Sequence, residues 1–301
     1  MEFRQIEAFI EVIESASFSK AAEELHISQP SVSTYISSLE RELGTVLINR
    51  STKVLSITLA GERFLEKAKE MVSLKHASIE SIKSLDGDIS GEVRILASSV
   101  PALYILPQAL AELHRLYPNI SFSLSQTDTS GVVQGISSQR ADIGFAGSTI
   151  QDRKCEFSEI VNEKLVFIAP NDGSYPKDRE FTLEELLYSN SFISRELGSG
   201  TRMQYEKFFI ENGIDLKKIR ACATIGNTQG ILNAVAHGLG VSIISKLAAG
   251  QMLEQGLLIP IKLKVELPKR KIYSVLNKSV VHSHLIKLLI NHIKESMNSL
   301  R

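Results

Sequence analysis

Small hydrogen-bonding side chains cover one side of a predicted helix near the beginning of the chain. Val32, Ile36 and Leu39 recur at helical spacing, so they must face inward. The opposite side then carries only uncharged polar residues: Gln29, Ser31, Ser33, Thr34, Ser37 and Ser38. This surface is slim enough to enter the major groove of DNA and polar enough to bond base edges and phosphates. We therefore predict that the helix reads double-stranded DNA.

The reading helix is the second of two short helices joined by a tight turn within residues 18–40. Ser19 is the predicted N-cap of the first helix and Ser28 that of the second, with Pro30 in the first turn. We include Ser28 and Pro30 among the predicted DNA-binding residues. An amphipathic helix over residues 3–14 covers the pair with a stripe of Ile6, Phe9, Ile10 and Ile13. The alternative is an ordinary helical hairpin, but a solvated face usually carries charges and this one carries none.

A short basic hairpin follows Gly44, the residue predicted to end the reading helix. The sequence TVLINRSTKVLSIT, residues 45–58, predicts two short strands that form a wing. Arg50 and Lys53 lie at its tip, where they can touch the phosphate backbone or the minor groove. The alternative is a solvated hairpin tip without a partner. Because residues 1–85 hold ten Lys/Arg and twelve Asp/Glu, DNA binding must depend on such local contacts rather than on bulk charge.

A long helix is predicted to follow the wing. Thr58 is its N-cap, and the helical pattern runs to about residue 85. A stripe that repeats every seven residues is formed by Leu65, Val72 and Ile79. Such a stripe predicts pairing with a second copy of the chain. The alternative is that it packs on the chain's own N-terminal domain. A hinge-like break is predicted at residues 86–91.

One continuous stretch carries the pattern of a known family. It reads FRQIEAFIEVIESASFSKAAEELHISQPSVSTYISSLERELGTVLINRSTKVLSITLAGERFLEKA. With it, the first 90 residues resemble those of LysR-type transcriptional regulators, although Thr34 stands where Arg is frequent and Ile48 where Phe is usual. The resemblance implies a winged helix-turn-helix domain over 1–58 and a linker and dimerisation helix with its hinge over 59–90. It also implies a homodimer or a dimer of dimers, with RNA polymerase as a candidate partner.

From Glu92 onward the pattern changes to alternating strands and helices. The apolar segments EVRILASS, ADIGFA and KLVFIA read as strands, with helices between them. This alternation indicates an α/β fold with parallel sheets covered by helices. The region resembles the effector-binding domain of the same family, which is similar to periplasmic solute-binding proteins. The resemblance implies that 91–301 forms two lobes, about 92–163 with 267–301 and about 164–266, joined by two crossing strands around a ligand cleft.

Several turns rich in Ser, Thr and Gly are predicted to face that cleft. Ligands of α/β sheets bind beyond the carboxyl ends of strands and at helix N-termini, where N–H groups and the helix dipole favour an anion. The candidate ligand-binding residues are Ser98, Ser99, Val100, Thr127, Gly147, Ser148, Gly198, Ser199, Gly200, Thr201, Arg202 and Thr228. Arg195 and Arg202 either hold a ligand or pair with a nearby carboxylate. The alternative is a set of strand-to-helix connections without a ligand.

The family resemblance adds one expectation about these turns. In sulfur-related members of the family, small oxyanions or carboxylates bind at positions that Ser98, Ser99 and Thr201 match as hydroxyl residues. We therefore expect a small anionic effector between the lobes.

Composition argues against several other classes of protein. The 301 residues are 43% hydrophobic and 23% charged, with a formal net charge of zero. We expect no signal peptide and no membrane-spanning segment, and hence a cytoplasmic location. Cys155 and Cys222 lie far apart without a CxxC motif, which favours two buried thiols over a disulfide, a metal site or a redox switch.

Three functions are compatible with these patterns. The first is a ligand-responsive regulator of transcription. The second is a DNA-binding module fused to a small-molecule enzyme, but residues 91–301 contain no GxSxG, HExxH or Walker motif. We predict no catalytic residues, no cofactor and no metal ligands. The third is a solute-binding protein, and the first 90 residues argue against it.

Overall fold

The chain divides into two units along its length. The computed structural model describes residues 1–49, 55–83, 89–188 and 191–299. The first unit comprises residues 1–87 with 279–284, and the second comprises 88–278 with 285–301. The predicted wing tip with Arg50 and Lys53, and residues 86–88 of the predicted hinge, lie outside the described residues. Every helix in the described ranges is too short or too polar to span a membrane.

The first unit is a helical domain with a small strand pair. Its elements are α1 (Phe3–Ser15), α2 (Phe18–Glu24), α3 (Gln29–Leu43), β1 (Ile48–Asn49), β2 (Ser56–Ile57) and α4 (Leu59–Lys83). The predicted caps Ser28 and Thr58 are confirmed, since their side chains accept hydrogen bonds from the first turns of α3 and α4. The predicted cap Ser19 is wrong: Ser17 caps α2 by accepting a bond from the Lys20 backbone N–H at 3.3 Å. Gly44 ends α3 in a left-handed conformation, with φ of 67°.

The buried face of α1 differs from the predicted stripe. Ile6 and Phe9 are buried as expected, and Ala8 and Val12 are buried as well. Ile10 and Ile13, which were also predicted to be buried, are only half-buried. The reason is that α1 contacts three helices, α2, α3 and α4. A helix surrounded on several sides buries a broader face than one stripe.

The long helix α4 packs on its own domain over its first half. Ala68 is fully buried, and Leu65 and Val72 are half-buried against the same core. The chain's own α1 therefore covers part of this stripe, and the pairing of Leu65, Val72 and Ile79 with a second copy stays a prediction. Lys75, at 2.6 Å from the Glu7 carboxylate, fastens α4 to α1. Ile79 lies beyond this contact and is 44% exposed.

The second unit is α/β. Its strands are β3 (Gly91–Ala97), β4 (Ile120–Gln126), β5 (Ile143–Ala146), β6 (Cys155–Pro170), β7 (Glu180–Phe181), β8 (Phe192–Arg195), β9 (Ala221–Ile225), β10 (Ser242–Ser245), β11 (Leu258–Pro260), β12 (Lys262–Leu263) and β13 (Lys269–Asn277). Its helices are α5 (Leu106–Leu116), α6 (Thr129–Ser137), α7 (Leu183–Tyr188), α8 (Gly200–Glu211), α9 (Thr228–Ala236), α10 (Lys246–Glu254) and α11 (His284–Ser299). A π-helical turn, Pro101–Ile105, precedes α5, and a 3₁₀ turn, Leu216–Lys218, precedes β9.

The sheets are mixed rather than purely parallel. Among the described residues one sheet has the strand order β10-β6-β13-β5-β3-β4, with β11 beside β6. The pairs β3–β4 and β3–β5 are parallel as predicted, and so is β8–β9. However, β13 is antiparallel to β5 and β6, and β6 is antiparallel to β10 and β11. The long strand β6 leads from one half of the unit to the other and β13 returns, so the two must run in opposite directions.

Separate apolar cores lie on the two sides of these crossing strands. One is formed around Ile95, Leu106 and Phe145, with helices α5 and α11 covering the sheet. The other is formed around Phe167, Phe192 and Phe209, with α7 and α8 on the strands. Strand ends near the boundary between the two cores can therefore supply polar groups to a shared cleft.

The cysteines behave differently from the prediction in one case. Cys155 is buried, as expected, and its thiol lies 3.6 Å from the Val133 carbonyl oxygen. Cys222 is exposed, so the prediction that it is buried is wrong. The cause is that β9 is mostly exposed, although its apolar sequence resembles that of an inner strand.

Candidate functional site

The outer face of α3 is small and polar. Val32, Ile36 and Leu39 are fully buried, which confirms the predicted inner face. The predicted contact residues accordingly lie on the remaining surface of the helix. Ser28, Gln29, Pro30 and Thr34 are exposed, whereas Ser31, Ser33 and Ser37 are half-buried.

Hydrogen bonds within α3 already occupy some of these hydroxyls. Ser28 lies 2.8 Å from Ser31, hydroxyl to hydroxyl, and Thr34 donates to the carbonyl oxygen of Pro30 at 2.9 Å. Gln29 is thus the exposed residue of this face with the longest polar reach. It is the strongest candidate for a contact with a base edge.

Sequence reasoning missed a residue that connects α3 to the wing. The carboxylate of Glu40 accepts hydrogen bonds from the backbone N–H groups of Leu47 at 2.9 Å and Ile48 at 3.2 Å. These bonds fix the start of β1 relative to α3. A Glu near the end of a helix and eight residues before the start of a strand gives no recognisable signal, because such a residue is usually solvated.

A cleft in the second unit brings together four of the predicted turns. It is lined by Ser98, Ser99, Val100, Asp128, Thr129, Gly147, Arg195, Glu196, Ser199, Gly200, Thr201 and Arg270. The space open to the centre of a water molecule is about 10 Å³, which is about enough for one water. The cleft is therefore nearly closed as it stands, and a ligand larger than one water fits only if the walls move apart.

The other predicted ligand residues lie around this lining. Thr127 packs on the first turn of α6. Its hydroxyl lies so close to Gly131 that a Cβ atom added to this glycine would collide with it. Thr228 is buried and accepts a hydrogen bond from Arg195 at 3.1 Å. Gly198 adopts φ of 87°, which a residue with a side chain rarely does.

Two buried hydroxyls meet at the N-terminus of α8. Thr129 and Ser148 are 0% and 4% exposed, and within the described residues neither hydroxyl oxygen has a hydrogen-bond partner. A Cβ atom placed on Gly200 would lie 2.9 Å and 3.0 Å from these two oxygens. Gly200 is the first residue of α8, and Ser199 is its N-cap. A buried hydroxyl left unpaired costs free energy, so this arrangement favours a polar ligand.

Arg270 on β13 supplies a buried positive charge that sequence reasoning missed. The side chain is 2% exposed, its Nη1 donates to the Thr201 hydroxyl at 2.6 Å, and its Nε pairs with the carboxylate of Glu163. Its Nη2 has no hydrogen-bond partner among the described residues. Burial lowers the pKa of Arg270 to about 9, so the guanidinium stays protonated near neutral pH. In the sequence, the segment LPKRKIY suggests a solvated arginine. Arg270 lies beneath the cleft only because β13 crosses between the two halves of the unit.

The two arginines of uncertain role are both held by carboxylates. Arg195 makes two bonds to Glu196, at 2.8 and 2.7 Å, and a longer one to Ser99 at 3.4 Å. Arg202 donates to Glu206 at 2.7 Å and to the carbonyl oxygen of Arg195 at 2.9 Å. These pairs fix the loop between β8 and α8. They leave Arg270 as the arginine best placed to meet a ligand.

Two family profiles match the chain. The profile described as "Bacterial regulatory helix-turn-helix protein, lysR family" matches residues 3–62, and that of the "LysR substrate binding domain" matches residues 86–298. The chain belongs to the LysR family. The LysR assignment accounts for both units, and DNA-binding transcription regulation is the activity that the family name carries.

Individual LysR proteins support the same assignment. The transcriptional regulator CysL of Bacillus subtilis is 34% identical over 82% of this chain and 81% of its own length. A full-length OxyR variant from Pseudomonas aeruginosa shares the fold, with a TM-score of 0.76 at 20% identity over 98% of this chain and 95% of that one. The CcmR regulatory domain of Synechocystis PCC6803, solved in complex with 2-PG, matches with a TM-score of 0.63 at 21% identity, over 70% of this chain and 99% of that one.

Proposed function

We propose that this LysR-family regulator senses a small anion in the cleft of its second unit and changes its binding to operator DNA in response. The observation that carries the proposal is the buried set of unpaired donors in the cleft. The Nη2 of Arg270 and the hydroxyls of Thr129 and Ser148 lie around the N-terminus of α8 without partners in the described residues. Anions satisfy such donors best, because both the guanidinium and the helix dipole favour negative charge.

The ligand-binding residues of this proposal divide into two groups. Ser98, Ser99, Thr129, Ser148 and Thr201 offer hydroxyls from several different turns. The backbone of Gly147, Ser199 and Gly200 offers room and N–H groups at close range. Charge-assisted bonds of this kind contribute about 1.5–3 kcal/mol each. A few of them hold a small ligand at micromolar strength.

The ligand would act by holding the two halves of the cleft together. Three contacts already cross it: Tyr104 to Gln229 at 3.1 Å, Arg195 to Ser99 at 3.4 Å, and Arg270 to Thr201 at 2.6 Å. A ligand that bridges the same groups favours the closed form by its extra affinity for that form. That CcmR was solved with a small ligand, 2-PG, supports a small-molecule effector here as well.

On the DNA side, the proposal assigns reading to the exposed face of α3. Gln29, Ser33 and Thr34 would contribute to sequence choice, and Arg50 and Lys53 to general affinity. The first 85 residues carry two more acidic than basic side chains, so one copy has little bulk attraction for DNA. Two copies on one operator would supply the affinity, and we expect a homodimer or dimer of dimers acting in the cytoplasm.

Substitution of Arg270 tests the ligand site. In the variant Arg270→Gln the cleft loses its buried positive charge, and we expect the response of operator binding to small anions to disappear. Arg94→Gln is the matched control, because Arg94 forms an exposed ion pair with Asp142 outside the cleft. Operator binding without ligand should survive in both variants. An unchanged anion response in Arg270→Gln would refute the proposed site.

A further inference from the structure

Asp128 places an uncompensated negative charge on the wall of the proposed anion site. Its Oδ1 accepts a hydrogen bond from the Gly131 backbone N–H at 2.6 Å, which caps α6. Its Oδ2 faces the turn before α8, since a Cβ atom on Gly198 would collide with it. Among the described residues no basic side chain forms an ion pair with this carboxylate.

The charges around the cleft do not favour a fully deprotonated anion. The lining holds two guanidinium groups, of Arg195 and Arg270, and two carboxylates, of Asp128 and Glu196. A third carboxylate, of Glu163, is paired with Arg270 directly behind the lining. Three negative charges thus stand against two positive ones before any ligand enters. A ligand oxygen without a proton would be repelled by Asp128, because like charges at close range raise the free energy of both.

A ligand that carries a proton on one oxygen meets the same wall favourably. An ionised carboxylate can only accept hydrogen bonds, so it needs a donor from the ligand. An O–H that donates to a carboxylate forms a strong, charge-assisted bond. Elsewhere the cleft offers the Arg270 guanidinium and the hydroxyls of Thr129, Ser148 and Thr201, while the Glu196 carboxylate is paired with Arg195. The lining therefore matches a ligand that has acceptor oxygens for these donors and one O–H for Asp128.

We propose that Asp128 selects the effector class: a small oxyanion that also carries an O–H, such as hydrogen phosphate, a phosphate monoester with a hydroxyl, or a hydroxycarboxylate. This inference rests on the proposed anion site and narrows it. Sulfate and simple carboxylates such as acetate are rejected, because they carry no proton near neutral pH to donate to Asp128. The two groups of ligand differ in whether they can donate a hydrogen bond to the Oδ2 of Asp128.

Two pairs of probes and one conservative variant test the inference. Each pair differs in the O–H: inorganic phosphate against sulfate, and glycolate against acetate. Titration calorimetry on the full chain near neutral pH measures all four affinities. We expect phosphate to bind roughly tenfold more tightly than sulfate, since sulfate leaves the half-buried Asp128 carboxylate without the charge-assisted bond that phosphate donates. Glycolate should likewise bind more tightly than acetate, because only glycolate carries a hydroxyl.

The variant Asp128→Asn removes the charge and keeps the cap. Asn is as good an N-cap as Asp, so α6 should keep its start and the protein its melting temperature. The advantage of phosphate over sulfate should fall to within a fewfold. Asp172→Asn is the matched control, because Asp172 also accepts a backbone N–H, from Ser174 at 2.9 Å, but lies in an exposed loop. That variant should discriminate as the unmodified protein does.

The possible outcomes separate this inference from the proposed function. Sulfate that binds as tightly as phosphate, with both lost in Arg270→Gln, would overturn the role of Asp128 and leave the anion site standing. Discrimination that persists unchanged in Asp128→Asn would also overturn it. If none of the four probes binds a protein that still binds operator DNA, both the anion site and the selection by Asp128 are refuted.

Discussion

Glu163 and Arg270 face each other on the two crossing strands β6 and β13 and form a buried ion pair beneath the cleft. The second oxygen of Glu163 accepts a hydrogen bond from Ser245, the N-cap of α10, and Arg270 reaches Thr201 at the start of α8. The pair therefore links the crossing strands to two helices of the same half of the unit. The Arg270 guanidinium thus lies under the ligand site, and the Glu163 carboxylate lies behind the guanidinium.

The first prediction removes that counter-charge. Glu163→Gln leaves Arg270 buried without an ion partner, and breaking such a pair costs about 3–5 kcal/mol of unfolding free energy. The same change makes the cleft more positive, so anion affinity should rise roughly tenfold. Thermal unfolding with and without phosphate measures both effects.

The control for this variant lies on the same two strands. Glu159→Gln breaks the pair with Lys271, in which both side chains are about half exposed. Exposed pairs contribute about 0–1 kcal/mol, so stability and anion affinity should change little. If the two variants lower the free energy of unfolding equally, the buried pair does not stabilise the protein more than the exposed pair does.

The second prediction concerns the space at the start of α8. Gly200→Ala places a methyl group 2.9 Å from the Thr129 hydroxyl and 3.0 Å from that of Ser148, in the region where the ligand would lie. We expect loss of the anion response with operator binding retained. Gly250→Ala, in helix α10 with open space around it, is the matched control. An anion response that survives in Gly200→Ala would place the ligand elsewhere.

Local sequence patterns predicted the elements that supply the cleft. The predicted strands β3 and β5 and the second half of β6 are confirmed to within a few residues, because each is a short apolar run between turn residues. The polar turns after β3, β5 and β8 do meet at one cleft, as expected from the carboxyl ends of neighbouring strands. Local chemistry suffices for this part because the turn residues are adjacent in sequence to the strands that position them.

Contacts distant in sequence were the part that could not be predicted. Arg270 reaches the cleft only because β13 pairs with β6 over a separation of about a hundred residues. The helix α7 and the first half of β6 were also missed, since their charged residues obscure the apolar pattern. Similarly, the seven-residue stripe of α4 does not show which partner covers it, because packing on α1 and packing on a second copy require the same spacing.

The third prediction concerns sequence reading by α3. Gln29→Ala removes the exposed amide, and we expect the preferred operator base at one position to lose about 1–3 kcal/mol of discrimination. The dependence of affinity on salt should stay the same, because no phosphate contact is lost. Binding to a library of randomised operators at several salt concentrations measures both. Gln251→Ala, an exposed glutamine of α10, is the control. A changed salt slope with unchanged base preference would assign Gln29 to the backbone instead.

The fourth prediction concerns assembly through α4. Leu74, Ile79 and Ile82 are 51%, 44% and 65% exposed, whereas Val72 is half-buried against the core of its own domain. We expect Ile79→Asp to weaken the dimer without unfolding the chain, and Val72→Asp to destabilise the first unit because it places a charge against the apolar core. Sedimentation gives the oligomeric state and circular dichroism the helix content. If the folded Ile79→Asp protein is still a dimer, Ile79 does not lie in the dimer interface.

The last prediction concerns the reactivity of the two cysteines. Burial, followed by the nearby Asp152 carboxylate, raises the pKa of Cys155 to about 11. A raised pKa keeps the thiol protonated, so Cys155 should resist alkylation at neutral pH and react only as the pH approaches 11. The exposed Cys222 should react first in the native protein. Mass spectrometry after iodoacetamide treatment of the native chain and of Cys222→Ser distinguishes the two sites. Rapid labelling of Cys155 at neutral pH in the folded Cys222→Ser protein would show that its thiol is neither buried nor held protonated.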